Sequence, residues 1–175
     1  MKVIVRQYPT ACGPLLLGVY DCKLCLCDWD EPYRRYQMDE RLLRRLGADG
    51  YEYGESPLLD EVEVQLDGYF MDERFDFDLP LLYAGTPMQV DVWEYLRTVP
   101  YGETRTYTEV AAAIGRPKAV RAVASAIGLN AMSIIVPCHR IIGSNGSMCG
   151  YAGSLLTKYY LLDQERKNMQ RKSLQ

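Results

Sequence analysis

Hydrophobic and polar positions alternate along residues 2–7, which is the period of a half-buried strand, and residues 15–20 and 23–29 read as two more strands. A turn near Asp21 joins the second and third stretches, so a hairpin is expected. Residues 30–56 are charged, with Arg44-Arg45 followed by Gly47, Gly50 and Gly54, and this pattern gives helix fragments and loops. Residues 57–70 place Leu58, Leu59, Val62 and Leu66 on one side of a helix, and an acidic linker follows over 72–80. Further on, Val90, Val92, Trp93 and Leu96 recur at helical spacing over 87–98, and Pro100-Tyr101-Gly102 stops that helix. Two short helices come next. One covers 108–114, with Thr108 as N-cap; the other covers 117–127, with Pro117 in the first turn and Gly128 just past the end. Only Gly115-Arg116 separates them, which fits a helix-turn-helix or a plain helical hairpin. Gly143-Ser144-Asn145-Gly146 is a strong turn signal, and residues 155–170 form an amphipathic closing helix.

This order of elements gives an α+β protein. A small N-terminal antiparallel sheet domain would occupy residues 1–80, and a mainly helical C-terminal domain with the helix-turn-helix residues 81–175. The 175 residues are enough for an ordinary hydrophobic core. The longest apolar runs, Leu15-Leu16-Leu17 and Ile134-Ile135-Val136, are far too short to span a bilayer. With no secretory signal at the N-terminus, a cytoplasmic protein with no membrane partner is expected.

Net charge changes the picture only when it is divided. The whole chain carries −3, but residues 1–100 hold 10 basic and 19 acidic side chains, and residues 101–175 hold 10 basic and 4 acidic. An acidic support segment and a basic segment able to meet a polyanion follow from that asymmetry. Cysteines stand at 12, 22, 25, 27, 138 and 149 and are read as thiols rather than disulfides. Cys22 and Cys25 have a metal-binding spacing, but no histidine or second pair accompanies them. Strand alternation puts Cys25 and Cys27 on one face, where small thiols pack. No metal and no cofactor are expected.

The single histidine, His139, stands beside Cys138 in Val136-Pro137-Cys138-His139-Arg140. A cysteine attacks as its thiolate, and a free thiol near pKa ~8.5 is mostly protonated at neutral pH. An imidazole is the usual group to take that proton. Adjacent side chains diverge on a strand or a helix, so a bridging water suits this pair better than a direct bond. A buried structural pair fits the spacing equally well.

Val136-Pro137-Cys138-His139-Arg140-Ile141-Ile142-Gly143 resembles the active-site signature of the O6-alkylguanine-DNA alkyltransferases, the methylated-DNA–protein-cysteine methyltransferases. Upstream, Pro100-Tyr101-Gly102-Glu103-Thr104-Arg105-Thr106-Tyr107 and Pro117-Lys118-Ala119-Val120-Arg121-Ala122-Val123 match in the same order. Downstream, Ser144-Asn145-Gly146 and Gly150-Tyr151-Ala152-Gly153 also match. The resemblance spans about half the chain and implies stoichiometric, irreversible transfer of an alkyl group to Cys138. It implies that His139 takes the proton through a water, that Glu165 orients the imidazole, and that Tyr107 protonates the departing guanine.

The resemblance further implies a double-stranded DNA partner bearing O6-alkylguanine, base flipping, and a second helix lying in the minor groove. Arg121 would fill the gap left by the flipped base. Lys118, Arg105, Arg116 and Ser144 would contact the backbone. Asn130, Tyr151, Ala152 and Gly153 would form the substrate pocket, and the protein would act as a monomer. Three positions depart from the family pattern. Ala131 stands where proline is usual, Val120 where alanine is common, and Ser154 where a glycine occurs. A lesion-sensing module without transfer and a thiol hydrolase are the alternative readings.

Overall fold

The computed structural model describes residues 1–148 and 150–175, so the sixth thiol, Cys149, lies outside the described residues. The chain divides into two units, Met1–Gly85 and Thr86–Gln175.

The first unit is built on strands β1 (Val3–Tyr8), β2 (Leu15–Tyr20) and β3 (Lys23–Trp29), followed by helix α1 (Pro32–Leu46), strand β4 (Tyr51–Tyr53) and helix α2 (Pro57–Phe70). The sheet order is β3-β2-β1-β4. The expected hairpin is present, and Asp21 and Cys22 turn it with positive φ of 48° and 59°, the torsions of a two-residue hairpin turn. The sheet is not wholly antiparallel, because β4 runs parallel to β1, with Val3 opposite Tyr51. Gly18 sits where β2 and β3 slip register. A Cβ there would lie 2.9 Å from the Cβ of Leu26 and 3.0 Å from Val3, so the close approach needs a residue with no side chain.

The 30–56 segment contains a full helix where the pattern gave fragments. Glu31 caps α1 by accepting from the Tyr33 and Arg34 amides, Pro32 opens it, and Gly47 closes it with a left-handed φ of 67°. The apolar stripe is thin because two of its buried positions are arginines. Arg34 Nε and a terminal nitrogen of Arg35 donate to the fully buried Asp28 carboxylate of β3 at 2.8 Å and 2.5 Å. Helix α2 matches the expected span and is capped by Ser56. The linker after it is held in place: Gln65 of α2 donates to the Asp78 carbonyl and accepts from its amide, both at 3.0 Å. Residues 81–85 belong with this unit, because the Leu24 amide donates to the Pro80 carbonyl and the Leu82 amide to the Leu24 carbonyl, both at 2.8 Å.

In the second unit α3 (Pro87–Leu96) is followed by β5 (Arg105–Thr106), α4 (Tyr107–Ala113), α5 (Val120–Gly128), a single 3-10 turn (Cys138–Arg140), β6 (Ile141–Ile142) and α6 (Leu155–Ser173). Helices α3, α4 and α5 pack on one another, and the indole of Trp93 donates to the Ala126 carbonyl at 2.8 Å. The helix-turn-helix differs from its expected limits. The N-cap of α4 is Thr106, not Thr108, because Thr106 and Glu109 close a reciprocal capping box. Helix α5 begins at Val120 rather than Pro117, since Ala119 is not helical and no side chain caps it. Gly115, with φ of 75°, reverses the chain between the two helices. Among the described residues, no helix is long and apolar enough to cross a membrane.

Candidate active site

The two thiols placed on one sheet face, Cys25 and Cys27, are buried in the first unit, and burial pushes both well above the ordinary thiol range. Such groups pack and do not react. Cys138 is also buried, but it opens the 3-10 turn and is followed there by two buried polar residues, His139 and Arg140.

The segment leading to Cys138 is tightly fixed. The Asn130 side chain accepts from the Met132 amide at 3.0 Å and donates to the Val136 carbonyl at 2.9 Å. These two bonds pin both ends of the turn, so Ala131 in place of proline leaves it firmly held. Ile134, buried within that turn, has φ of 71°, an unfavourable conformation for a β-branched residue. The bonds from Asn130 and the bond from the Val136 amide to the Met132 carbonyl hold it there.

After the 3-10 turn, β6 pairs in parallel with β5, with Ile141 opposite Arg105 and Ile142 opposite Thr106. Because α4 starts at Tyr107, this pairing lays the strand leading into Tyr107 alongside the strand that follows Cys138. Tyr107 is half-buried, and its hydroxyl lies 3.9 Å from where a Cβ on Gly150 would stand. The Thr108 and Ser144 hydroxyls, 3.1 Å apart, join the start of α4 to the turn after β6.

Helix α6 completes the site. Lys158, Leu161, Glu165 and Asn168 follow a 3-4-3 spacing, face one way, and are buried. His139 Nε2 donates to Glu165 Oε1 at 2.7 Å, and both side chains are fully buried. Arg140 forks onto the same carboxylate, at 3.0 Å from Nε to Oε2 and 2.9 Å from a terminal nitrogen to Oε1. Its other terminal nitrogen donates to the Val99 carbonyl at 2.8 Å, and the guanidinium lies 5.5 Å over the Tyr101 ring. The Gly102 amide is a further donor to Glu165, at 3.2 Å. Gly102 has φ of 80°, and a Cβ there would stand 2.6 Å from Met169. Asn168 donates to the Tyr101 hydroxyl at 3.2 Å.

These contacts set the proton positions. Burial would raise the Glu165 carboxyl, but His139 and Arg140 outweigh it and hold the group well below the usual carboxylate range. An ionised Glu165 cannot donate, so the proton of the His139–Glu165 bond is on Nε2. Nδ1 is buried, finds no hydrogen-bond partner among the described residues, and carries a free lone pair. Burial, with help from Arg140 and Lys158, pushes His139 below its ordinary value even against the pull of Glu165. The ring is neutral and able to accept a proton.

A pH dependence follows. Below about pH 6.5 the unfolded chain protonates this histidine while the folded one resists. Stability is therefore lost as pH falls from that point toward the lower folded value. The contribution of Glu165 is complete above its unfolded value near ~4.3, so the part of the loss between about pH 6.5 and that value is not its own. His139 is the only histidine, so thermal unfolding followed across this range reports it directly. A flat unfolding midpoint would contradict the neutral buried ring.

The other expected residues fall into three groups. Arg116, Lys118 and Arg121 are exposed, with Lys118 in the turn before α5 and Arg121 on its first helical turn. Ser144 is exposed, whereas Arg105 is half-buried and already bonded to Glu103 at 2.9 Å. Tyr151, Ala152 and Gly153 are half-buried, and the Tyr151 ring stands edge-on to His139 at 6.5 Å between centroids. Asn130 braces the turn behind Cys138. Ser154 has a local reason for its place: its hydroxyl caps α6 by accepting from the Thr157 amide at 3.1 Å. Sequence reasoning gave no role to Arg140, Gly102 or Lys158. The polar 3-4-3 stripe on the buried face of α6 was the available signal for Lys158.

A buried cysteine followed in sequence by the histidine of a buried imidazole–carboxylate pair stands in a helical unit that also carries a helix-turn-helix, with Arg116, Lys118 and Arg121 exposed at its turn and second helix. Residues 87–167 match the family model described as 6-O-methylguanine DNA methyltransferase, DNA binding domain. The constitutive methylated-DNA–protein-cysteine methyltransferase of Bacillus subtilis is 52% identical over 116 residues, covering 66% of this chain and 70% of that one. The Methanosarcina barkeri methylated-DNA–protein-cysteine methyltransferase is 49% identical over 109 residues, covering 62% and 69%. The crystal structure of Mycobacterium tuberculosis OGT in complex with DNA superposes with a TM-score of 0.79 at 36% identity, over 94% of this chain and 93% of that one. The chain belongs to the methylated-DNA–protein-cysteine methyltransferase family.

Proposed function

We infer that this protein repairs O6-alkylguanine in DNA by transferring the alkyl group to its own Cys138. The observation that carries the assignment to residues is the chain Cys138, His139, Glu165, all buried, within the part of the sequence that matches the family's DNA-binding domain.

The thiol proton passes through a water to His139 Nδ1, and Glu165 stabilises the imidazolium that results. The sulfur attacks the alkyl carbon. A carbon–sulfur bond forms, the carbon–O6 bond breaks, and its electron pair goes to guanine. Tyr107 gives its hydroxyl proton to the guanine ring, so that a neutral base departs, and the phenolate regains a proton from solvent. The product is a thioether with no good leaving group, so each molecule acts once.

The target base is inside a stacked duplex and must be extruded before it meets a buried sulfur. Arg121, exposed on α5, fills the gap, because a flat guanidinium replaces both stacking and hydrogen bonds. Lys118 and Arg116 are exposed to meet phosphates; Ser144 shares its hydroxyl with Thr108 and Arg105 must first leave Glu103. Tyr151, Ala152 and Gly153 line the guanine pocket. The test is intact-protein mass spectrometry after incubation with an O6-methylguanine oligonucleotide. One lasting methyl group per molecule, absent in Cys138→Ser, is expected. Repeated turnover, or methyl gain in Cys138→Ser, would overturn the assignment.

A further inference from the structure

Arg140 is 5% exposed and stands in the 3-10 turn directly after His139. Burying a guanidinium is expensive unless its donors are met, and here they are met from two directions. Nε and one terminal nitrogen fork onto Glu165, at 3.0 Å to Oε2 and 2.9 Å to Oε1. The other terminal nitrogen donates to the Val99 carbonyl at 2.8 Å, and the flat face lies 5.5 Å over the Tyr101 ring. One side chain thus grips both the carboxylate that serves His139 and the segment 99–106 that leads into Tyr107.

That segment is tied down along its length. The Gly102 amide donates to Glu165 Oε2, Asn168 donates to the Tyr101 hydroxyl, and Ile141, the residue after Arg140, pairs with Arg105. Each oxygen of Glu165 takes one bond from the Arg140 fork and one from another element, Oε1 from His139 and Oε2 from Gly102. The proton acceptor and the proton donor of the reaction are therefore mounted on one frame, with Arg140 at its junction. Charge alone does not account for an arginine here. Its cation discourages His139 from taking a proton, the opposite of what a stronger base requires, and a lysine would carry the same charge. A lysine lacks the planar set of three nitrogens that faces a carboxylate and a carbonyl at once.

We propose that Arg140 is a positioning residue for both proton transfers: its guanidinium holds Glu165 against His139 and, through the Val99 carbonyl, holds the segment that sets Tyr107. The inference rests on the transfer reaction proposed above. Two alkylating reagents separate its halves. With iodoacetamide the sulfur bonds to the methylene carbon and iodide leaves with the electron pair as a stable anion, so only the His139 half is used. With O6-methylguanine the base departs neutral only by gaining a proton from Tyr107, so both halves are used.

The full chain is compared with Arg140→Lys, Tyr107→Phe and the double variant, with saturating oligonucleotide so that DNA affinity does not enter. Both alkylations of Cys138 are timed by peptide mass spectrometry. Arg140→Lys is expected to slow iodoacetamide labelling about tenfold and methyl transfer about a hundredfold, on the scale of a misplaced general acid or base. Tyr107→Phe should slow methyl transfer alone. In the Tyr107→Phe background, Arg140→Lys should slow methyl transfer only by the factor of about ten seen with iodoacetamide, because the Tyr107 half is already lost. Parental rates in a folded Arg140→Lys overturn the proposal. Equal losses with the two reagents do so too, as does an undiminished loss in the Tyr107→Phe background. If thermal unfolding shows that Arg140→Lys does not fold, the residue is structural and the proposal falls. A parental chain that is labelled by iodoacetamide but takes no methyl group from the oligonucleotide overturns the transfer reading, and the Tyr107 half with it; the iodoacetamide rates then decide the His139 half.

Discussion

Glu165→Ala is expected to destabilise the C-terminal unit by about 3–5 kcal/mol, the usual cost of removing one partner from a buried ion pair. The carboxylate accepts from His139, from both arms of the Arg140 fork and from the Gly102 amide. Alanine leaves a guanidinium inside the protein with only the Val99 carbonyl and the Tyr101 ring to answer it. The effect on chemistry should be at least as large. Without Glu165 nothing fixes the Nε2–H tautomer, so Nδ1 is no longer held as the acceptor, and the imidazolium loses its counter-charge. A fall of about 10²–10⁴ in the single-turnover rate follows from the comparable loss in hydrolytic triads. Glu165→Gln keeps the shape and an acceptor oxygen but removes the charge. It should recover part of the stability and little of the rate. Thermal unfolding and rapid-quench methyl transfer measure the two separately. Parental transfer by Glu165→Ala would exclude the imidazole–carboxylate pair from the reaction.

Asp28→Ala should have a comparable effect on the N-terminal unit, again about 3–5 kcal/mol. Asp28 is fully buried and answers two arginines that are themselves nearly buried, Arg34 and Arg35. A domain of this size has about 5–15 kcal/mol in total, so the unit would be left close to unfolding. The charges are costly as well as stabilising. Replacing all three together, with Asp28→Leu, Arg34→Met and Arg35→Leu, should restore part of the loss, because no guanidinium is left facing an empty position, although Asp39 loses its 2.8 Å bond from Arg35 and keeps only that from the Tyr51 hydroxyl among the bonds described. Urea unfolding monitored by amide exchange in β2 and β3 distinguishes the outcomes. A triple variant weaker than Asp28→Ala would show that the ion group contributes more than mutual neutralisation.

Strand β1 was legible from its alternation, β2 and β3 as short apolar stretches joined by a turn, and helices α2 and α3 from their helical spacing and the Ser56-Pro57 and Thr86-Pro87 starts. Helix α1 was not, because Arg34 and Arg35 occupy buried positions on its inner face, and periodicity counts arginine as polar. Strand β4 has three residues and gains its place only by pairing with β1. Strands β5 and β6 have two residues each, and no local pattern announces so short a pair. The start of α4 was misplaced by two residues even though Thr106-Tyr107-Thr108-Glu109 contains the capping box. At the site, Cys138 and His139 were visible by adjacency. Glu165 was reached only through family resemblance, since a separation of 26 positions from His139 hides a 2.7 Å bond. Arg140 and Lys158 needed the fold, because a buried cation on a helix or turn reads as solvated until its surroundings are known.

The polar face of α6 also bears on the order in which the molecule becomes reactive during synthesis. Lys158, Glu165 and Asn168 reach back to Ile141, to His139, Arg140 and Gly102, and to Tyr101. Cys138, Tyr107 and the helix-turn-helix are all translated before any of these three residues. Until α6 has left the ribosome and docked, His139 has no carboxylate to orient it and the thiol has no prepared base. A nascent chain can thus carry Cys138 without a prepared base beside it until α6 docks.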